Sequence, residues 1–171
     1  MQTGLLYVDR KKGGIKKLDD KAFEVFKMVS EGFCCSQIML KLALDLEEQE
    51  NADLLRVMGG LCNGIGGSQK TCGVLTSGIG IFGLYAGKGT TTEYSEANYG
   101  SMVREFASWF DWRFESTECM DIVGVREFSR NGSIEYPIKC GDILMESFDK
   151  IGEILYENGY TFGDRELREN E

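Results

Sequence analysis

One stretch of the chain, Thr71 to Gly87, runs for 17 residues without a charged side chain and holds five glycines. An apolar segment of this kind has to be shielded from water around most of its girth, so other elements must be built around it. It falls short of the ~20 predominantly apolar residues that a membrane span needs, contains several hydroxyls, and lies between Lys70 and Lys88. A buried central helix is the reading that remains, capped by Thr71 and running from Cys72 to about Ala86. Gly73, Ser77 and Gly80 fall near one face of it, where small residues let a neighbouring helix come close.

The rest of the pattern supplies the neighbours. Phe23, Phe26, Val29 and Phe33 recur at helical spacing behind Asp19 and Asp20, and Gly32 ends that helix. A second helix opens at Cys35 and runs to Leu46, and a third, capped by Asn51 or Asp53, covers Leu54, Leu55, Val57 and Met58. Beyond the central helix comes a longer one, from about Glu93 to Glu115, with Tyr99, Met102, Val103, Phe106, Phe110 and Phe114 inward. Ser116 or Thr117 caps a short helix from Glu118 to Val123. The last helix runs from Ile138 to about Asn158 and turns Ile143, Leu144, Phe148, Ile151, Ile154 and Leu155 to the core. Residues 1–18 read as a basic arm or short hairpin, and 125–137, with Asn131-Gly132, as a loop or second small hairpin. The expected fold is all-α: one multi-helix bundle over residues 1–171, with its core at 20–157 and a polar tail at 158–171.

With 28 acidic against 19 basic residues the chain carries a net charge of −9. Such a surface repels phosphate backbones and anionic lipid, which argues against nucleic-acid and membrane roles and favours a basic protein partner. No leader-like apolar run opens the sequence, so a cytoplasmic location is expected, where structural disulfides are rare.

There is no histidine. That removes His-based acid–base chemistry, Cys–His nucleophile pairs, mixed Cys/His zinc sites and His-ligated haem. Six cysteines are left to carry chemistry: Cys34, Cys35, Cys62, Cys72, Cys119 and Cys140. None forms a Cys-x-x-Cys, so thioredoxin-type, zinc-ribbon and c-type haem motifs are absent. Yet Cys35, Cys72, Cys119 and Cys140 each fall at the start of an expected helix. Unpaired N–H groups and the helix dipole favour an anion there, so a thiol at that position is expected to ionise more readily. Cys34 and Cys62 lie outside this pattern and read as core packing.

Cys35-Ser-Gln, Gly64-Ile-Gly-Gly67 leading to Thr71-Cys-Gly-Val74, Phe114 to Gly124 around Cys119, and Cys140 before an apolar helix carry a resemblance. The chain resembles, over about residues 20–157, the redox-active bacterial and archaeal proteins named for the pattern C_GCAxxG_C_C. It departs at Val74, where that pattern has alanine, and at Ser77, where it has glycine. The resemblance implies a redox role. It extends to the non-haem part of split-Soret-type cytochromes, whose cysteines are associated with an iron–sulfur centre.

The expected function is a redox protein whose Cys35, Cys72, Cys119 and Cys140 hold an iron–sulfur cluster, with Gly66, Gly67 and Gly73 letting backbone approach it. A metal-free thiol–disulfide oxidoreductase is the alternative, with Cys72 as nucleophile and Cys35 or Cys62 resolving. A four-cysteine structural zinc site and a purely structural bundle rank lower. The run Gly60 to Thr71 lacks the strand and the Gly-Lys-Ser/Thr ending of a phosphate loop. Trp109, Phe110, Trp112 and Phe114 read as packing, in the core or across a homodimer, before they read as a ligand platform.

Overall fold

The computed structural model describes residues 7–9, 14–16, 18–124 and 138–165. The expected hairpin at 125–137 lies outside them. At the N-terminus β1 (Tyr7–Asp9) and β2 (Gly14–Lys16) form the expected hairpin, antiparallel with Val8 opposite Ile15. All remaining regular structure among the described residues is helical: α1 (Leu18–Ser30), α2 (Cys35–Leu46), α3 (Ala52–Gly59), α4 (Gly73–Ala86), α5 (Tyr99–Phe114), α6 (Cys119–Val123) and α7 (Ile138–Glu157). The molecule is an all-α bundle. No described helix is long and apolar enough to cross a membrane.

The uncharged segment is the central helix. Helix α4 packs on α2, α5 and α7, and buries Val74, Leu75, Ile81, Phe82, Tyr85 and Ala86. Its close approaches differ from the expected set. Gly73 and Ser77 do face neighbours, but Gly80 has open space, and the tight crossing is at Gly78. A Cβ there would run into the Phe106 ring of α5 and come within 2.9 Å of Ile151 on α7. The cap is Cys72 rather than Thr71, which instead pairs with Glu118 in an isolated antiparallel bridge.

Two more expectations are corrected. Helix α5 begins at Tyr99, six residues later than Glu93, because the Glu93 carboxylate accepts from the Gly89 and Thr90 amides and holds that stretch as a loop. In α1 the helix is where the periodicity puts it, but its buried face is Val25 and Met28, while Phe23 and Phe26 are about two-thirds exposed. This helix makes its main contacts among the described residues with α2 and α7, so a narrow stripe suffices, and the phenylalanines fall outside it. The inward faces of α5 and α7 are as expected, with Met102, Phe106 and Phe110 and the six named residues of α7 buried.

The order of turns gives the bundle two distinct ends. Glu47 caps the C-terminus of α2, and its carboxylate accepts from Tyr85 near the end of α4 and from the Gly163 and Arg165 amides beyond α7. Asn98, the cap of α5, donates to the Asn158 carbonyl at the end of α7. Helices α2, α4 and α7 therefore finish together. Helices α3 and α5 carry the chain back, so the N-termini of α2, α4, α6 and α7 gather at the opposite end.

Candidate functional site

All four free cysteines sit at that opposite end, one per helix start. Cys35 and Cys119 are the first residues of α2 and α6, Cys72 is the N-cap of α4, and Cys140 lies in the first turn of α7. All four are buried. The small bridge explains how two of them meet: the Cys72 amide donates to the Thr117 carbonyl at 2.8 Å, and the Cys119 amide to the Lys70 carbonyl at 2.8 Å. Cys35 is brought in by α2 packing on α4. A Cβ on Gly73 would lie 2.8 Å from the Cys35 Sγ and 2.8 Å from the Leu61 carbonyl oxygen, so only glycine fits between them. Ser77 Oγ donates to the Ser36 carbonyl at 3.0 Å and holds the two helices in that register.

The glycine-rich connection between α3 and α4 has an unusual backbone. Asn63, Gly64, Ile65, Gly66 and Gly67 are five successive residues with positive φ, and Gln69 is a sixth. A left-handed conformation costs roughly 1–2 kcal/mol for each non-glycine residue, and most for a β-branched one such as Ile65. Its own hydrogen bonds close it: the Gln69 and Lys70 amides reach back to the Asn63 and Gly64 carbonyls. The result turns the Asn63 N–H toward the Cys35 sulfur. Asn63 was not among the expected site residues. Only a run of glycines in the sequence marks such a loop, and which amide points inward follows from the fold. Gly66 and Gly67, expected against a cofactor, lie exposed on the outer part of the loop, with nothing crowding a Cβ at Gly67.

The electrostatics correct a second expectation. Helix N-termini do present amides, those of Ser36 and Cys35 toward the Cys35 sulfur and those of Val74 and Leu75 toward Cys72, and the loop adds that of Asn63 at Cys35. Burial outweighs them. It pushes Cys72 up to about 12 and Cys119 up to about 11, and raises Cys35 and Cys140 as well. Repulsion adds to burial at three of them: Cys35 and Cys119 disfavour ionisation of Cys72, Cys35 and Glu118 that of Cys119, and Cys35, Cys72 and Cys119 that of Cys140. Without a cation the cluster is a set of protonated thiols, not the activated thiolates the dipole argument suggested. These repulsions put Cys35, Cys72 and Cys119 within electrostatic reach of Cys140.

Cys34 and Cys62 are not isolated packing residues. They are joined as a disulfide across 28 residues, with their Cα atoms 5.9 Å apart. The bond ties the residue before Cys35 to the residue before Asn63. Between these two segments sits Ser36, fully buried, whose Oγ donates to the Met58 carbonyl at 2.7 Å and lies 2.9 Å from the Cys62 sulfur. The pairing excludes Cys62, while so bonded, as the resolving partner of Cys72.

The donor set is the one expected for a sulfur-ligated metal centre, four cysteines, with the Glu118 carboxylate near Cys119. Among the described residues, however, no three Cys, Asp or Glu side chains are arranged as they stand to hold a metal ion. No curated protein and no solved structure matches the chain. The family described as "Putative redox-active protein (C_GCAxxG_C_C)" matches residues 33–154, which is more than half of the sequence and includes all six cysteines. The chain belongs to the C_GCAxxG_C_C family of redox-active proteins.

Proposed function

We propose that Cys35, Cys72, Cys119 and Cys140 are the ligands of an iron–sulfur cluster through which the protein transfers electrons or senses redox state. The observation that carries this reading is the convergence of four buried thiols from four separate helix starts. Iron–sulfur clusters are held by four cysteine thiolates, and hydrogen bonds to sulfur together with burial set their potential. The amides of Asn63, Ser36, Val74 and Leu75 would serve in that role. When bound, the cluster supplies one-electron chemistry. The cysteines would have to release their protons to bind it, and iron would offset the burial cost, and then the repulsion, that otherwise keep them protonated. A single zinc, with Zn–S of ~2.3 Å, asks for a tighter ligand set than a centre whose cysteines bind different irons.

Metal-free thiol–disulfide exchange is favoured by one observation, the Cys34–Cys62 bond. Cys72 is a poor nucleophile for it: with its thiol at about 12, roughly one part in 10⁵ is thiolate at neutral pH. Protein purified under argon, or reconstituted with iron and sulfide, decides between the two. Visible absorption with bound iron and sulfide is expected, and Cys72→Ser should lose most of both. A colourless protein, or iron content that Cys72→Ser leaves unchanged, overturns the cluster assignment.

A further inference from the structure

We propose that Cys34 and Cys62 form a second redox site, a reversible two-electron disulfide exchanged with dithiols, whose closure locks the left-handed loop over Cys35. The site is separate from the four-thiol cluster. Its two sulfurs belong to the residues that directly precede Cys35 and Asn63, so the bond fixes a thiol and the amide that faces it with one covalent link. Both ends lie one residue or a few from exposed chain: Glu31 and Gly32 on one side, Ile65 to Ser68 on the other. The two cysteines themselves are buried, 5% and 7% exposed.

Three features make the bond a switch rather than a staple. First, α2 and α3 are held together without it. The Ser36 hydroxyl donates to the Met58 carbonyl at 2.7 Å, and the Gln37 side-chain amide donates to the Leu55 carbonyl at 3.1 Å. Second, the opened form is chemically provided for. A Cys34 thiol has the Gln37 Oε1 at 3.2 Å as acceptor, and a Cys62 thiol has the Ser36 hydroxyl at 2.9 Å and the Met58 carbonyl at 3.8 Å. Neither sulfhydryl would be left buried without a partner. Third, the loop that begins at Cys62 is strained, with Asn63, Ile65 and Gln69 all at positive φ. Strain of this kind persists only where the surroundings hold it, and the disulfide anchors its first residue.

The exchange balances as follows. One thiolate of a dithiol attacks a sulfur of the bond and forms a mixed disulfide. Its second sulfur then displaces the protein sulfur, and the dithiol leaves as its own disulfide. Cys34 and Cys62 each take up a proton, so two electrons and two protons enter the protein. A disulfide reagent reverses every step.

The full chain, poised in buffers of graded reduced and oxidised dithiothreitol and then alkylated and mapped, tests the proposal. Cys34 and Cys62 should become modified together about one midpoint while helical circular dichroism stays constant. In the reduced form, amide hydrogen exchange over residues 62–70 should quicken on the order of tenfold, with that of α5 unchanged. Cys34→Ser should exchange at the faster rate in every buffer; if that variant does not fold, the wild-type titration decides alone. A bond that opens only as the protein unfolds, that never forms at the oxidising end, or that leaves loop exchange unchanged overturns the proposal. Neither readout requires iron, so its outcome is independent of the cluster assignment.

Discussion

Gly73 is where the site depends on a single hydrogen atom in place of a methyl group. It is the first residue of α4, where alanine would be the better helix former by up to ~1 kcal/mol. Opposing that, a Cβ would meet the Cys35 sulfur and the Leu61 carbonyl oxygen, both at 2.8 Å, and a backbone carbonyl does not yield as a flexible side chain does. Overpacking costs about 1–3 kcal/mol, so the steric effect wins. Gly73→Ala should lower stability to urea by roughly that amount, and stability equal to or above that of the wild type would show that the α2–α4 contact is looser than described. Cys35, Cys72, Cys119 and Cys140 could be singled out in the sequence because each stands where a helix begins, a local property. The Cys34–Cys62 bond could not, since its partners are 28 residues apart and nothing in the spacing says which cysteine meets which.

At the scale of the helix, small residues matter only on the side that touches something. Gly78 and Gly80 are two positions apart on α4 and face opposite circumstances: Phe106 and Ile151 crowd the first, and open space surrounds the second. Gly78→Ala should destabilise by about 1–3 kcal/mol by pushing α5 and α7 away. Gly80→Ala should stabilise by up to ~1 kcal/mol, since alanine restricts the unfolded chain and adds no clash. Thermal unfolding of both variants checks the pair, and a loss at Gly80 with none at Gly78 would reverse the assigned face. Nearly uniform apolarity around α4 hid that face from periodicity, whereas α7, polar on one side, displayed its buried residues plainly. In α1 the phenylalanines set the visible period, but the partners α2 and α7 select Val25 and Met28 instead.

Across the whole molecule, three helices run in one direction, with thiols at their starts and a polar clasp at their ends. In the clasp, burial in the first place, and then the Glu47 carboxylate that accepts its hydrogen bond, raise the Tyr85 hydroxyl above its ordinary value of 10. A folded value above the unfolded one means that the stabilisation is fully present below about pH 10 and is lost as pH rises beyond it. Tyr85→Phe removes this hydrogen bond to a charged group, worth about 1.5–3 kcal/mol at neutral pH. The stability gap between the variant and wild type should therefore stay constant from about pH 7 to 9 and narrow toward pH 11. Urea denaturation across that range measures it, and a gap that widens with pH contradicts the assignment.

The sequence by itself determined the helices, the central place of the uncharged segment, and the rule that four cysteines open four helices. Each of these follows from neighbours within a few turns, through hydrophobic period, caps and glycine breaks. Tertiary structure alone decided that those helix starts meet at one end and that Cys34 joins Cys62. It also decided that the Asn63 amide faces Cys35, and that burial outweighs the helix dipole at every thiol. Those outcomes depend on long-range packing and on the exclusion of water, and both are properties of the assembled core rather than of any local run of residues.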